Sequence, residues 1–338
     1  MKKRCFVFLI FLLFLLSSCA RADRYETRNF YVMDTLAEIR IYETVGSAVN
    51  AFAECKNLAE NLEKEISATI SGSETDRFNH NESGDFSEDF VQLVALSVTL
   101  SQKTGGAFDA TCGSLIDLWN VCTAENRLPT AEEEKTALSV VGYEKICVSE
   151  NTVTKTGLPI LNFGAIGKGY AADRMAQNMK ENGVLCGMIS FVSSVTVFGD
   201  RTFTIGVRDS NPKNGLCGTV TLRNESLSVS GNYERFYEIG GKRYCHILNP
   251  MTGEPVEGDF HSVAVVCESG AVADALSTAI FVMGIEGATE LYRSGEIAFE
   301  FLCFTGDKVV VSDGLLDRFV PETDSVTLVS LSSLIMEN

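Results

Sequence analysis

The run Leu161-Asn162-Phe163-Gly164-Ala165-Ile166-Gly167-Lys168-Gly169-Tyr170-Ala171-Ala172-Asp173 constrains this chain more than any other. Leu158 to Phe163 is largely apolar and predicts a short buried strand. Three glycines and a lysine follow. Tyr170 to Glu181 then places Ala171, Met175 and Met179 on one face of a helix. Strand, glycine-rich turn and helix in succession aim free backbone N–H groups at an anion. Glycine lets the backbone approach a ligand or take a positive φ. The run is not a P-loop, because Asn162 stands where a glycine belongs and Gly169 where a Ser or Thr follows the lysine. The spacing does not match G-x-G-x-x-G either. Taken alone, such a turn is more often a structural connection than a site.

The N-terminus is a leader. Lys2, Lys3 and Arg4 form a positive region ahead of an unbroken apolar run of 11 residues, Phe6 to Leu16. That run is too short to span a bilayer stably. It ends in Leu16-Ser17-Ser18-Cys19, the pattern of a lipoprotein signal, so residues 1–18 are expected to be removed and Cys19 to carry lipid. Residues 19–29 would be the tether, and the protein would be exported and held at a bacterial membrane surface. The formal charge of −17 becomes more negative once the leader is lost. A chain this acidic excludes nucleic acid as a partner, since that needs basic surface to displace counterions.

Eleven cysteines are present, nine of them beyond the leader region, with no C-x-x-C and no zinc-finger spacing. An odd number precludes complete pairing within the chain, and the scatter fits buried free thiols. No linker divides the chain, so one compact unit with two lobes is expected.

The patterning predicts a strand pair around Met33-Asp34-Thr35, a helix from Ser47 to Ile66, a polar turn-rich stretch from Ser71 to Phe86, and a helix from Ser87 to Thr104 with Ser87 as N-cap. Glycine punctuates Gly105 to Trp119. A short helix follows over Ala131 to Val140, then strands over 145–163. Hairpins are expected over Gly183 to Val207 and Gly218 to Tyr244, turning at Gly240-Gly241. Helices are expected over Ala271 to Gly284 and Glu286 to Ser294, then β structure from Phe299 to Leu316. Helices and hairpins mix without strict alternation, which predicts an α+β fold with mixed and antiparallel sheets.

Three further segments carry chemistry. In the small, apolar helix around Ala273-Asp274-Ala275-Leu276-Ser277-Thr278, Asp274 and Thr278 lie four apart and share a face. A carboxylate and a hydroxyl are the hard oxygen ligands that Mg²⁺ takes together with phosphate and water; a helix-start Asp capping its own N–H groups is the plainer alternative. His246, one of only three histidines, ends a strand before Asn249-Pro250-Met251-Thr252-Gly253. Ser230-Gly231-Asn232-Tyr233-Glu234-Arg235 mixes a serine-glycine turn with a Glu/Arg pair.

In order along the chain, Met33-Asp34-Thr35, Gly105-Gly106-Ala107-Phe108-Asp109 leading to Trp119, Leu161 through Asp173, Ser230 through Arg235, His246 through Gly253, and Ala273 through Thr278 resemble the FAD:protein FMN transferases, the ApbE family. The resemblance covers most of the chain and places a transferase domain at residues 30–325, with 326–338 as a tail. It implies a flavin cleft between two lobes. Met33, Thr69, Ala107, Phe108, Asp109, Asn162, Lys168 and Ile247 would meet FAD, with Lys168 near its phosphates. Asp274, Thr278 and the backbone carbonyl of Ala165 would hold Mg²⁺. His246 or Asp274 would take the proton of an attacking threonine hydroxyl. The implied reaction moves FMN from FAD to a threonine of a target flavoprotein and releases AMP. The implied recipients are flavin-carrying subunits of membrane redox complexes of the Rnf or sodium-pumping NADH:quinone oxidoreductase type.

Departures from the pattern are Asn162 in place of an Asp, Phe191 to Ser194 in place of a Gly-Gly turn, and Thr69 where an aromatic ring often stacks on the flavin. Loss of that ring removes about 1 kcal/mol of stacking. Two alternatives follow: an Mg²⁺-dependent FAD pyrophosphatase yielding FMN and AMP at the same site, or a flavin-binding lipoprotein without activity.

Overall fold

The computed structural model describes residues 24–80, 85–150, 152–208, 216–232, 235–258, 260–306, 308–323 and 326–336. The expected leader, Cys19, Tyr233 and Glu234 lie outside the described residues. β1 (Glu26–Val32) and β2 (Thr35–Thr44) pair antiparallel. They turn through Met33 and Asp34, at φ 53° and 56°, the two-residue loop with both φ positive that matches strand twist. The backbone N–H of Met33 donates to Glu63 Oε1 at 2.6 Å, tying this unusual turn to the next helix.

That helix, α1 (Ala48–Ile66), begins at Ser47, whose Oγ accepts from the Asn50 N–H. α2 (Glu74–Asn79) occupies a stretch expected to be loop; Ser73 caps it by accepting from the Asp76 N–H. The polarity of 71–86 concealed the helix. α3 (Glu88–Lys103) starts at Ser87 as expected. α4 (Gly113–Ala124) fills the glycine-punctuated segment, a second helix the patterning did not reveal. α5 (Ala131–Val140) carries a capping box between Thr130 and Glu133. β3 (Ile146–Ser149) and β4 (Thr152–Lys155) pair. The expected strand over Leu158 to Phe163 does not form; only a bridge between Cys112 and Ile160 marks it.

α6 (Gly167–Glu181) starts three residues earlier than the patterning placed it. Then come β5 (Val184–Ser190), β6 (Ser194–Phe198), β7 (Phe203–Arg208), β8 (Leu216–Leu222), β9 (Ser226–Gly231), β10 (Phe236–Ile239), β11 (Lys242–Cys245) and β12 (Ser262–Cys267). α7 (Gly270–Ser294) breaks at Gly284 (φ 72°), where two helices were expected to meet. β13 (Glu300–Thr305), β14 (Lys308–Val311), a single 3₁₀ turn at Asp313–Leu315, β15 (Phe319–Pro321), β16 (Thr327–Ser330) and α8 (Leu331–Met336) complete the chain.

Nine strands form one sheet in the order β1-β2-β5-β6-β9-β12-β13-β14-β16. Every pair in it is antiparallel except β14 with β16. The α+β expectation is met. β12 is buried along its whole length, and its alternation shows why. Val263 and Val265 join the cluster beneath α7, while Ala264 and Val266 face a second cluster shared with the smaller sheet β15-β8-β7. Helices thus cover one face of the large sheet and a three-stranded sheet the other, so its central strands are apolar on both sides. Among the described residues the nine cysteines from Cys55 to Cys303 are free thiols, and only Cys147 is exposed.

Candidate active site

The glycine-rich turn is built for helix packing. None of Gly164, Gly167 and Gly169 takes a positive φ, contrary to the conformational role expected of them. A Cβ on Gly169 would lie 2.1 Å from the Gly270 carbonyl oxygen, so glycine here lets α6 touch the start of α7. Each helix then feeds a carboxylate to the other's N-terminus, where N–H groups lack partners. Asp173 of α6 accepts from the N–H groups of Gly270 (2.7 Å) and Ala271 (3.0 Å) and from Ser269 Oγ (2.7 Å). Asp274 of α7 accepts from the Gly169 N–H at 3.1 Å. Burial pushes the Asp173 carboxyl above its usual range, against the pull of those donors. The N–H groups of Gly164, Ile166, Gly167 and Tyr170 are also spent, on Asn162 Oδ1, Phe163 (twice) and Ile166. The anion at the head of α6 is therefore supplied by the chain itself, as Asp274.

Above this crossing lies a cavity of about 570 Å³, within the range of small-molecule sites. α6, α7, the turn between β5 and β6 and the end of β9 form one wall. The other is α4 with the β10–β11 hairpin, held together by Trp119, which donates its Nε1–H to the Gly253 carbonyl at 3.1 Å and packs on Tyr237 and Tyr244.

Ala107, Phe108, Asp109, Asn162, Ala165, Lys168, His246, Ile247, Asp274 and Thr278 all line this one cavity. Met33 and Thr69 do not line it. Met33 sits in the β1–β2 turn beside Thr35, which does; Thr69 is exposed and shares a hydroxyl contact with Ser67. Position 69 is not part of the cavity wall. Asp109 spends its carboxylate on the protein, accepting from the Thr111 N–H and Oγ1 and the Tyr143 N–H. Burial raises its pKa. The Phe191–Ser194 turn brings Val192 to the cavity at φ 62°, and the Ser193 N–H bonds back to the Phe191 carbonyl at 2.6 Å.

Asp274 is 5% exposed. Its Oδ1 lies 3.2 Å from Ser194 Oγ and 3.1 Å from Ser228 Oγ, and those two hydroxyls are 2.6 Å apart. Two protons serve three contacts. The short Ser194–Ser228 distance holds one of them, so Oδ1 receives only one and keeps lone-pair capacity. Asp274 and Thr278 line the cavity together with Ala165, and a carboxylate, a hydroxyl and the Ala165 backbone carbonyl would make an all-oxygen donor set. It suits Mg²⁺, which takes few protein ligands and fills its octahedron with phosphate and water. Among the described residues there is no cluster of three His, Cys, Asp or Glu.

His246 Nδ1 lies 2.9 Å from the Arg235 carbonyl. A carbonyl only accepts, so the neutral ring carries its proton on Nδ1 and leaves Nε2 free to take one. Burial lowers the His246 pKa below 6.5, and the nearby charges of Arg235 and Lys168 act in the same direction. The cavity of this acidic protein thus holds a local group of cations.

Arg235 and Thr35 line the cavity beside the expected residues. Both belong to motifs quoted from the sequence, yet neither was assigned a role there. Ile116, Asn120 and Thr123 also line it, and their helical spacing on α4 was a readable signal once that helix is recognised.

Fold and cleft together define a class of α+β protein in which one large, mostly antiparallel sheet carries a cleft of mixed polar and apolar lining beside a crossing of two helix N-termini. The chain belongs to the ApbE family, whose model matches residues 33–301. It is 29% identical over 246 residues to the FAD:protein FMN transferase of Escherichia coli K12, covering 68% of this chain and 70% of that protein. It is 27% identical over 328 residues to the FAD:protein FMN transferase of Treponema pallidum, covering 88% and 90%. The crystal structure of the ApbE protein of Thermotoga maritima superposes with a TM-score of 0.76 at 26% identity, covering 83% of this chain and 94% of that one.

Proposed function

We propose that this protein is an Mg²⁺-dependent FAD:protein FMN transferase, lipid-anchored through Cys19. It moves FMN onto a threonine of flavin-carrying subunits in membrane redox complexes of the Rnf or sodium-pumping NADH:quinone oxidoreductase type. One observation carries the reading. The Asp274–Thr278 oxygen pair shares a single cavity with Lys168, Arg235 and His246, the complement of a metal-bound pyrophosphate. The family relatives named for this activity support it.

Asp274, Thr278 and the Ala165 carbonyl would hold Mg²⁺, which when bound offsets charge on pyrophosphate oxygens. Lys168 and Arg235 attract the phosphates and fix their place. His246 Nε2 takes the proton of the threonine hydroxyl as its oxygen bonds the FMN-side phosphorus; the pyrophosphate bond breaks and AMP leaves with the bond's electron pair. Asp274 is a poorer base, since the Gly169 N–H and one serine hydroxyl already donate to its carboxylate.

The test is to incubate the protein lacking its leader with FAD and Mg²⁺, with and without a flavin-carrier domain, and to weigh the intact carrier. A gain equal to FMN less one water, with AMP released, is expected. Free FMN and AMP without an adduct would make the protein a pyrophosphatase, and intact FAD in both mixtures would leave a flavin binder.

A further inference from the structure

Ser230, at the end of β9, touches Thr278, and the surrounding groups fix where every hydroxyl proton goes. Each serine or threonine hydroxyl has one proton to give. Ser277 Oγ gives its own to the backbone carbonyl of Asp274 at 2.9 Å, because a carbonyl can only accept. Ser230 Oγ lies 2.8 Å from Ser277 Oγ. Ser277 has no proton left, so Ser230 is the donor there. Ser230 Oγ also lies 3.1 Å from Thr278 Oγ1. Ser230 has now spent its proton, so Thr278 is the donor. The protons run one way: Thr278 to Ser230, Ser230 to Ser277, Ser277 to the Asp274 carbonyl.

We infer that Ser230 and Ser277 are positioning residues that turn the Thr278 proton away from the cleft and leave its lone pairs for a divalent cation. A hydroxyl ligates a cation only through a lone pair, and a freely rotating one must be ordered first, at an entropic cost. The relay orders it beforehand. Ser277 is wholly buried and is absent from the cavity wall, so it acts on metal binding only indirectly, through Ser230 and through its bond to the Asp274 carbonyl. The inference rests on the metal reading above and adds residues to it.

Mn²⁺ binding to the leaderless protein, read from the free-ion electron paramagnetic resonance signal, tests this without turnover. Ser230→Ala is expected to weaken Mn²⁺ binding about tenfold, the equivalent of one lost hydrogen bond. Ser277→Ala is expected to weaken it several-fold despite its distance from the cleft, and Ser230→Thr, which keeps the hydroxyl, to restore it. The double variant Ser230→Ala/Ser277→Ala should bind no more weakly than Ser230→Ala alone, since both act through one proton chain. Wild-type affinity in Ser230→Ala and Ser277→Ala, with binding lost in Asp274→Ala, would overturn the relay and keep the metal site. No Mn²⁺ binding by the wild type would overturn both.

Discussion

His246 is the residue whose chemistry depends most on its neighbours. Its Nδ1–H is held by the Arg235 carbonyl, and burial, aided by Arg235 and Lys168, keeps its pKa below 6.5. A base works when neutral, above its pKa. The acid limb of kcat/KM should therefore fall below pH 6.5, and activity should be level through neutrality. His246→Gln should lower kcat by about 10²–10⁴-fold and abolish that limb; a pH–rate profile that keeps it would place the base elsewhere. Asp274→Ala should abolish metal-dependent turnover. It also strands the Gly169 N–H and the one serine hydroxyl that donates to the carboxylate, costing about 1–3 kcal/mol per buried group left unpaired. Urea denaturation of the variant measures this, and an unchanged midpoint would show that those groups find other partners. That Asp274, Thr278, Lys168 and His246 meet in one cleft was legible from the sequence because spacing and motif order mark them. Ser194 and Ser228 were not. Serines in hairpins are commonplace, and only the register that sets Ser194 opposite Ser228 gathers them under α7.

Among the elements, the α6–α7 crossing was half legible. The glycine-rich turn and helix marked 164–181 as special, yet for an anion-binding reason, whereas close helix packing demands Gly169, and the strand expected before them does not form. That demand is invisible without Gly270, more than ninety residues on in the chain. Gly169→Ala would drive a Cβ to 2.1 Å from the Gly270 oxygen and 2.8 Å from the Ala271 nitrogen. Backbone atoms cannot rotate aside, so the helices must part. The expected cost is about 1–3 kcal/mol, the usual scale of overpacking, and the move also draws Asp274 away from its donor. Thermal unfolding and Mn²⁺ affinity should therefore worsen together. A variant with an unchanged melting midpoint would show that the crossing relaxes freely. α2 and α4 escaped the sequence reading for a different reason. α2 is six residues of mostly polar sequence, and α4 follows closely on Gly105, Gly106 and Gly113. Tertiary contacts outweigh weak local preference in both.

Over the whole molecule, individual hairpins were readable from alternation, but the order of nine strands was not, because β6 meets β9 and β9 meets β12 across long connections. The far edge of that sheet gives the last prediction. The segment after Val326, expected only as a tail, runs β16 parallel to β14 from Lys308↔Thr327 to Val311↔Ser330. It then buries Leu331 to 2% exposure in the cluster that also holds Ile247 of the cleft wall. Ending the chain at residue 325 strips β14 of its outer partner and leaves three buried valines, Val309 to Val311, on an open edge. Open apolar edges template association. Loss of the buried Leu331 side chain alone removes about 1.5–3 kcal/mol. The shortened protein is therefore expected to melt several degrees lower and to self-associate in light scattering, while retaining the FAD-consuming activity of whatever fraction stays folded. A truncated chain that is monodisperse and melts with the full-length protein would show that the sheet closes without its ninth strand.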